Sequence, residues 1–413
     1  MTTNSMIYPA ETDYGRLVDH ENGLVNRAIF SDEKIYQLEL QRVFARAWLF
    51  MAHDSQIPNS GDFFQTYMGE EQVIVTRGKD GGVNVMLNAC RHRGAGVCKA
   101  HSGNTSQFMC AYHGWTYDLS GKLIGVPGFN ELYEKKLNRE ELGLRKAAQV
   151  EIYRGFIFAT MDPEAPPLQE FLGSAGLHMI DTLANYGDIA VVPGVIRHRL
   201  KCNWKLAMEN DQDYYHVGVT HASAFEAWQL PRAEVNKGYW DKNTGDVILG
   251  EYGHVQDTMV GHHHANIFPH TCLFTDLLQC VVVRHPKGPG EIEQWYFTFV
   301  DKKASEQERR EVIARNISRV GPTGMIEQDD GENWEYCTKG AKSAALQDVP
   351  FNYQMGLGAG SMVADGGNGF PVLQNGPRTT EEYARWQLRC WSEFMAADSW
   401  PDLVKKHSKP LVR

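Results

Sequence analysis

Between residues 31 and 48 the apolar residues Ile35, Leu38, Val43 and Phe44 recur at helical spacing on a charged background. Ser31, Asp32 and Glu33 precede them with side chains suited to a helix start, so the pattern predicts an amphipathic helix. From about Gly61 to Phe158 the pattern changes to short β-rich runs punctuated by glycine: QVIVTRG, GGVNVML, AQVEIY and GFIFATM. MDPEAPPLQEFL, with three prolines, marks the exit from this region. Beyond it VIRHRL, LLQCVVVRHP and IEQWYFTFV read as antiparallel strands, whereas SEQERREVIARNISRV and WQLRCWSEFMAAD read as helices. No internal repeat or low-complexity stretch interrupts them. The expected fold class is α+β: a small all-β domain over residues 46–160 and a larger domain over 161–413 in which helices surround an antiparallel sheet, with 1–45 as a helical part of the larger domain.

Composition narrows the class. The chain has 413 residues, enough for two or more units of ~100–200 residues. An apolar content of 42% and a charged content of 22% describe a globular protein with a substantial core. No apolar run is long enough to span a membrane, and MTTNSMIYPAETDYG has neither a basic start nor an apolar stretch. A soluble, cytoplasmic protein is expected, and eight cysteines without framework spacing suit a reducing compartment. A net charge of −10 argues against a nucleic-acid partner.

Chemistry enters with Cys90-Arg91-His92 and Cys110-Ala111-Tyr112-His113, which spell C-x-H-x17-C-x2-H. Two thiolates and two imidazoles can hold a [2Fe–2S] cluster with both cysteines on one iron and both histidines on the other. The ligands of each pair sit too close along a short loop to close on one iron without strain, yet they reach the two irons of a rhombic cluster. Gly94, Gly96, Gly103 and Gly114 allow tight turns around them. Zinc is the alternative for a Cys2His2 set, although zinc modules more often open with paired cysteines. The stretch Cys90 to Leu119, with CRHRG and CAYHGWTYDLSGKL, and ARAWLFMAHDSQIP before it, resembles the Rieske domain of ring-hydroxylating oxygenase large subunits. Respiratory-chain Rieske proteins carry an extra cysteine in each ligand loop; here Cys98 has no partner in the second loop and is expected to be a small buried residue.

A second constellation lies in NWKLAMENDQDYYHVGVTHASAF, where Asp213, His216 and His221 form D-x2-H-x4-H. Two imidazoles joined by one remote carboxylate make a facial triad that leaves positions of a non-haem Fe(II) open for oxygen and substrate. Histidines five apart fit one face of a regular helix poorly, which predicts a break near Gly218. The segment resembles the mononuclear iron motif of the same oxygenase family. That resemblance implies His216 and His221 as ligands, with Asp213 as a catalytic link from His216 to His113 of a neighbouring subunit. Two residues separate Asn210 from Asp213, which looks like aromatic-acid oxygenases of the benzoate or terephthalate type. GPTGMIEQDDGENWE resembles the family segment that carries the third ligand, assigned to Asp330 with Asp329 as fallback, and looks closer to biphenyl and naphthalene dioxygenases.

The resemblance implies a terminal oxygenase that adds both atoms of O2 to an aromatic ring as a cis-dihydrodiol. It implies electrons from NADH delivered through a separate reductase, often with a ferredoxin, and a head-to-tail homotrimer, with a small β subunit left open. Monooxygenation or demethylation of an aromatic acid is the alternative within the family, and a Rieske electron-transfer protein the alternative outside enzymes. By neighbourhood the substrate pocket is assigned to Asn210, Val217, Phe268, Val320, Met325 and Ile326, with Arg284, Arg319 or His270 as cations for a carboxylated ring. His262-His263-His264 and the glycine-rich residues 356–369 are expected to be loops, the latter near the active-site mouth.

Overall fold

The computed structural model describes residues 14–230, 247–257, 264–275, 278–358, 361–363, 372–374 and 380–407. His262, His263 and much of 356–369 lie outside the described residues. Helix α1 (Glu33–Glu39) is capped by Asp32, whose carboxylate accepts the amides of Lys34 and Ile35, and continues as a π-helical turn over Leu40–Phe44. The helix therefore starts two residues after Ser31, with Asp32 as its cap, and ends before Trp48, where the chain turns into strand Leu49–His53.

Three small antiparallel sheets follow. Val83–Leu87, Glu71–Arg77, Asp62–Met68 and Ser102–Asn104 pair in that spatial order; Leu123–Gly125, Thr116–Asp118 and Gln107–Met109 form the second; Gln149–Tyr153, Phe156–Thr160 and Leu49–His53 form the third. The first Cys/His loop leaves strand Val83–Leu87, and the second forms the tip between Gln107–Met109 and Thr116–Asp118.

The larger sheet has ten strands among the described residues, centred on Thr271–Phe274, Cys280–Pro286 and Ile292–Asp301. Its register pairs Cys280 with Thr298, Val282 with Tyr296 and Arg284 with Gln294. Successive residues point to opposite faces of a strand, and the two faces belong to different cores. Val281, Val283, Trp295, Phe297 and Phe299 join the main core, where Phe50 and Phe64 of the small sheets meet Phe297 edge-on. Cys272, Cys280, Val282 and Tyr296 join a separate cluster with Val320 on the other face.

Among the described residues the helices of the larger region are α2 (Leu168–Ala184), α3 (Trp204–Asn210), α4 (Tyr214–Thr220), α5 (Ala222–Ala227), α6 (Glu306–Arg319), α7 (Met325–Ala341), α8 (Glu382–Ala396) and α9 (Trp400–Lys406). Ser305 starts α6 with a reciprocal capping box to Glu308. Gly324 then turns the chain into α7 so tightly that a Cβ there would stand 2.4 Å from the Val320 amide nitrogen. Helices α1, α3 and α8 are tied together by a buried ion pair: Glu39 accepts Lys205 Nζ at 2.5 Å and the indole N–H groups of Trp204 and Trp391 at 2.8 Å each. A desolvated pair is stable only when its remaining hydrogen-bonding capacity is met, and the two indoles meet it.

Candidate active site

The two Cys/His loops close in the same way. The Cys90 amide donates to Ala95 O at 2.9 Å and the Gly94 amide to Cys90 O at 2.8 Å; the Cys110 amide donates to Trp115 O at 2.8 Å and the Gly114 amide to Cys110 O at 2.9 Å. Gly94 and Gly114 occupy equivalent places at φ +75° and +73°, which a side chain would strain. The loops are thus equal in length, and C-x-H differs from C-x2-H only in where the histidine sits on a common frame. Both cysteines are buried, and the His92 and His113 rings approach to 4.4 Å. Trp115 stacks on His92 at 5.0 Å, and His92 Nδ1 is buried without a hydrogen-bond partner, the condition of a nitrogen reserved for a metal. Tyr117, not foreseen in the sequence, places its hydroxyl 3.2 Å from Cys90 Sγ and accepts the Arg91 amide at 3.0 Å. The donor set and its geometry fit a [2Fe–2S] cluster.

In the larger region Asn203 caps α3 through the Lys205 amide, and Asp213 caps α4 by accepting the Tyr215 amide at 2.9 Å. The break between the two histidines falls at His221 itself (φ −95°, ψ +22°), between α4 and α5. Gly218 remains inside α4 and is buried, so the break lies three residues after the glycine near which it was expected: α4 runs two residues further, to Thr220, before His221 turns back toward His216.

His216 Nε2, His221 Nε2 and Asp330 Oδ1 form a nearly equilateral triangle, with sides of 3.2, 3.3 and 3.3 Å. Neighbouring donors on a first-row divalent ion, bound at about 2.1 Å each, stand roughly 3.0–3.4 Å apart. Asp330 Oδ1 is buried and makes no hydrogen bond, so the triangle fits a metal. Behind each imidazole stands a second carboxylate: Asp213 Oδ2 lies 3.3 Å from His216 Nδ1, and Asp329 Oδ2 lies 3.4 Å from His221 Nδ1. Such carboxylates fix ring orientation and tautomer. Asp329, the fallback ligand, faces the rear of His221 and not the triangle. Burial opposes charge on His216, yet its contacts with Asp213 and Asp330 prevail and raise its pKa to about 10. Burial likewise pushes Asp330 up, and the two histidines outweigh it and hold the carboxyl well below the usual range. The site demands positive charge that a divalent cation would supply in place of protons.

A cavity of ≈ 370 Å³ opens beside the triangle. Asn210, Val217, Val320 and Ile326 line it, together with Phe225, Phe274, Val282, Gln294 and Glu327. Two expectations are corrected. Phe268 is fully buried between Trp204 and Phe394, in the main core, and Met325 stands at the exposed start of α7; neither lines the cavity. Of the three cations, Arg284 and Arg319 reach the cavity, whereas His270 is buried against Phe44 and His285. Strand alternation would have found Val282 and Gln294 had the register been known. Cys98 is buried, as expected.

Residues 47–140 match the family described as Rieske [2Fe-2S] domain, and residues 187–364 match Ring hydroxylating alpha subunit (catalytic domain). The chain is 36% identical to biphenyl dioxygenase subunit alpha of Paraburkholderia xenovorans over 94% of each chain. It is 34% identical to benzene 1,2-dioxygenase subunit alpha of Pseudomonas putida, again over 94% of each. A crystal structure of a naphthalene 1,2-dioxygenase variant bound to phenanthrene superposes with a TM-score of 0.89 at 28% identity, covering 95% of this chain and 97% of the other.

Proposed function

The chain belongs to the ring-hydroxylating oxygenase alpha subunits that carry a Rieske domain, and from that premise we propose how its residues divide the work of cis-dihydroxylating an aromatic ring. It is the terminal oxygenase component of a dioxygenase system that works with a ferredoxin or reductase. Of the two motif clues about its relatives, the EQDD segment agrees with the names of the matched proteins and the short Asn210–Asp213 spacing does not.

The observation that carries the assignment is the triangle of His216, His221 and Asp330, which stands in one chain with the loops of Cys90, His92, Cys110 and His113. These four residues would hold the cluster and the triangle would hold Fe(II). When bound, the cluster supplies single electrons from NADH and the ferrous ion supplies oxygen activation. Asp213 orients His216 and forms the outward end of the site, the position from which it would meet His113 of a neighbouring subunit. Val217, Phe225, Val282 and Ile326 supply apolar surface for a flat ring and keep water from it. The domain division at 46 and 160 is supported by the three small sheets, and that of 1–45 by the contact of α1 with α3 and α8. A head-to-tail trimer is part of this reading; a β subunit would be detected by co-purification. The cytoplasm is the expected compartment, and among the described residues no helix is long and apolar enough to cross a membrane.

Anaerobic purification followed by iron, zinc and acid-labile sulfide analysis tests the assignment. Three irons and two sulfides per chain are expected; zinc without sulfide would end it. Labelled oxygen then tests the reaction, with both atoms retained in a dihydrodiol.

A further inference from the structure

The cavity is not apolar throughout. Arg284 and Gln294 face each other across neighbouring strands on the cavity side of the sheet, and each is at least 98% buried. Arg284 Nη2 donates to Asp211 Oδ1 at 2.7 Å, but Arg284 Nε and Nη1, Asp211 Oδ2 and Gln294 Oε1 are buried and have no hydrogen-bond partner. All three residues line the same cavity as the triangle. Glu327, one helical turn before Asp330 on α7, donates nothing to these atoms; it accepts from Gln294 Nε2.

Buried polar atoms are rarely left unpaired, and a hydrocarbon cannot pair them. The unmet groups are donors on one side, from the guanidinium, and acceptors on the other, from the carboxylate and the amide oxygen. The guanidinium and Asp211 neutralise each other, so the wall offers hydrogen bonds without a net positive charge. A carboxylate substituent would meet the carboxylate of Asp211. We propose that the substrate is an aromatic ring bearing an uncharged substituent that both accepts and donates hydrogen bonds, of the primary amide type, seated against Arg284, Asp211 and Gln294. A primary amide brings a carbonyl with two lone pairs and two N–H groups, matching the acceptors and donors left over. This specificity rests on the ring-hydroxylation reading, which supplies the ring; the wall supplies the handle.

Isothermal titration of the anaerobic holoenzyme with benzamide, its apolar isostere cumene, and benzoate tests the wall. Benzamide is expected to bind at least about tenfold tighter than cumene. Gln294→Met is expected to cut that preference about tenfold. This variant leaves the Arg284–Asp211 pair whole, whereas Arg284→Met would strand a buried carboxylate and endanger folding. Cumene binding as tightly as benzamide in the wild type would overturn the proposal, since the wall would then be served by water. Benzoate binding tightest would also overturn it, making the wall an anion site. In a separate single turnover of chemically reduced enzyme with O2, absence of ring-oxidised product from all three probes would sink the ring-hydroxylation reading while leaving the binding preference intact.

Discussion

At the scale of single residues, the chemistry rests on pairs of groups in which one touches the metal position and the other holds it. Asp330 belongs to the first kind. Asp330→Ala is expected to abolish iron at the triangle and all turnover while leaving the visible spectrum of the cluster unchanged; iron analysis with absorption spectroscopy checks it. Asp213 belongs to the second kind, and Asp213→Ala is expected to keep both metals yet lose turnover, with a loss of about 1 kcal/mol in stability from the missing cap on α4. Iron and sulfide counts beside a turnover assay separate the two outcomes. Tyr117→Phe removes a hydroxyl 3.2 Å from Cys90 Sγ. Hydrogen bonds to cluster sulfurs raise reduction potential, so the variant should be harder to reduce in a spectroscopic redox titration. The motif of the four residues proposed to hold the cluster, Cys90, His92, Cys110 and His113, was legible in the sequence because its spacing is local. Asp330 was legible only through its resemblance to a family segment, and Tyr117 not at all, because a lone tyrosine seven residues after Cys110 carries no spacing signal of its own.

Elements add a second layer of dependence. Strands were legible where apolar residues alternate, and α6 from its charged, helix-periodic run. The position of the break beside His221 was not, because glycine is only a tolerated breaker and the histidine's own backbone makes the turn. Buried charge between helices was equally silent: nothing in the local pattern around Glu39 and Lys205 marks them as a buried pair. Lys205→Met strands Glu39 in the core and should cost about 3–5 kcal/mol, measured by denaturant unfolding. Glu209, at the end of α3, has its carboxylate buried and hydrogen-bonded by Tyr353 at 2.7 Å, and burial pushes its pKa up from 4.5 to about 8. An acid whose pKa rises on folding contributes most when protonated, so its support is complete below its unfolded pKa and drains away as pH climbs to the folded one. Glu209→Gln should escape that loss. Its melting temperature is expected to gain several degrees on the wild type between about pH 5 and about pH 9.

For the whole molecule, the aromatic contacts of Phe50 and Phe64 with Phe297 lock the small sheets to the back of the large one. The cluster loops and the triangle are therefore held in fixed relation within each chain, and the proposed trimer sets which cluster serves which triangle. Mixed trimers test this. A chain lacking the triangle (Asp330→Ala) and a chain lacking the cluster (Cys110→Ala) are each expected to be inactive. Reassembled in equal amounts they should recover about a quarter of wild-type turnover, the fraction of interfaces in which an intact cluster faces an intact triangle. Transfer confined to one chain would give none.

The pairing of Cys280 with Thr298 aligns even numbers with even and odd with odd across the two central strands. Residues 282, 284 and 294 shape what the enzyme can admit, and residues 281, 283, 295 and 297 carry the weight of the fold. A lineage of such enzymes can thus exchange one molecular diet for another by altering every second residue, and the intervening ones never register the change.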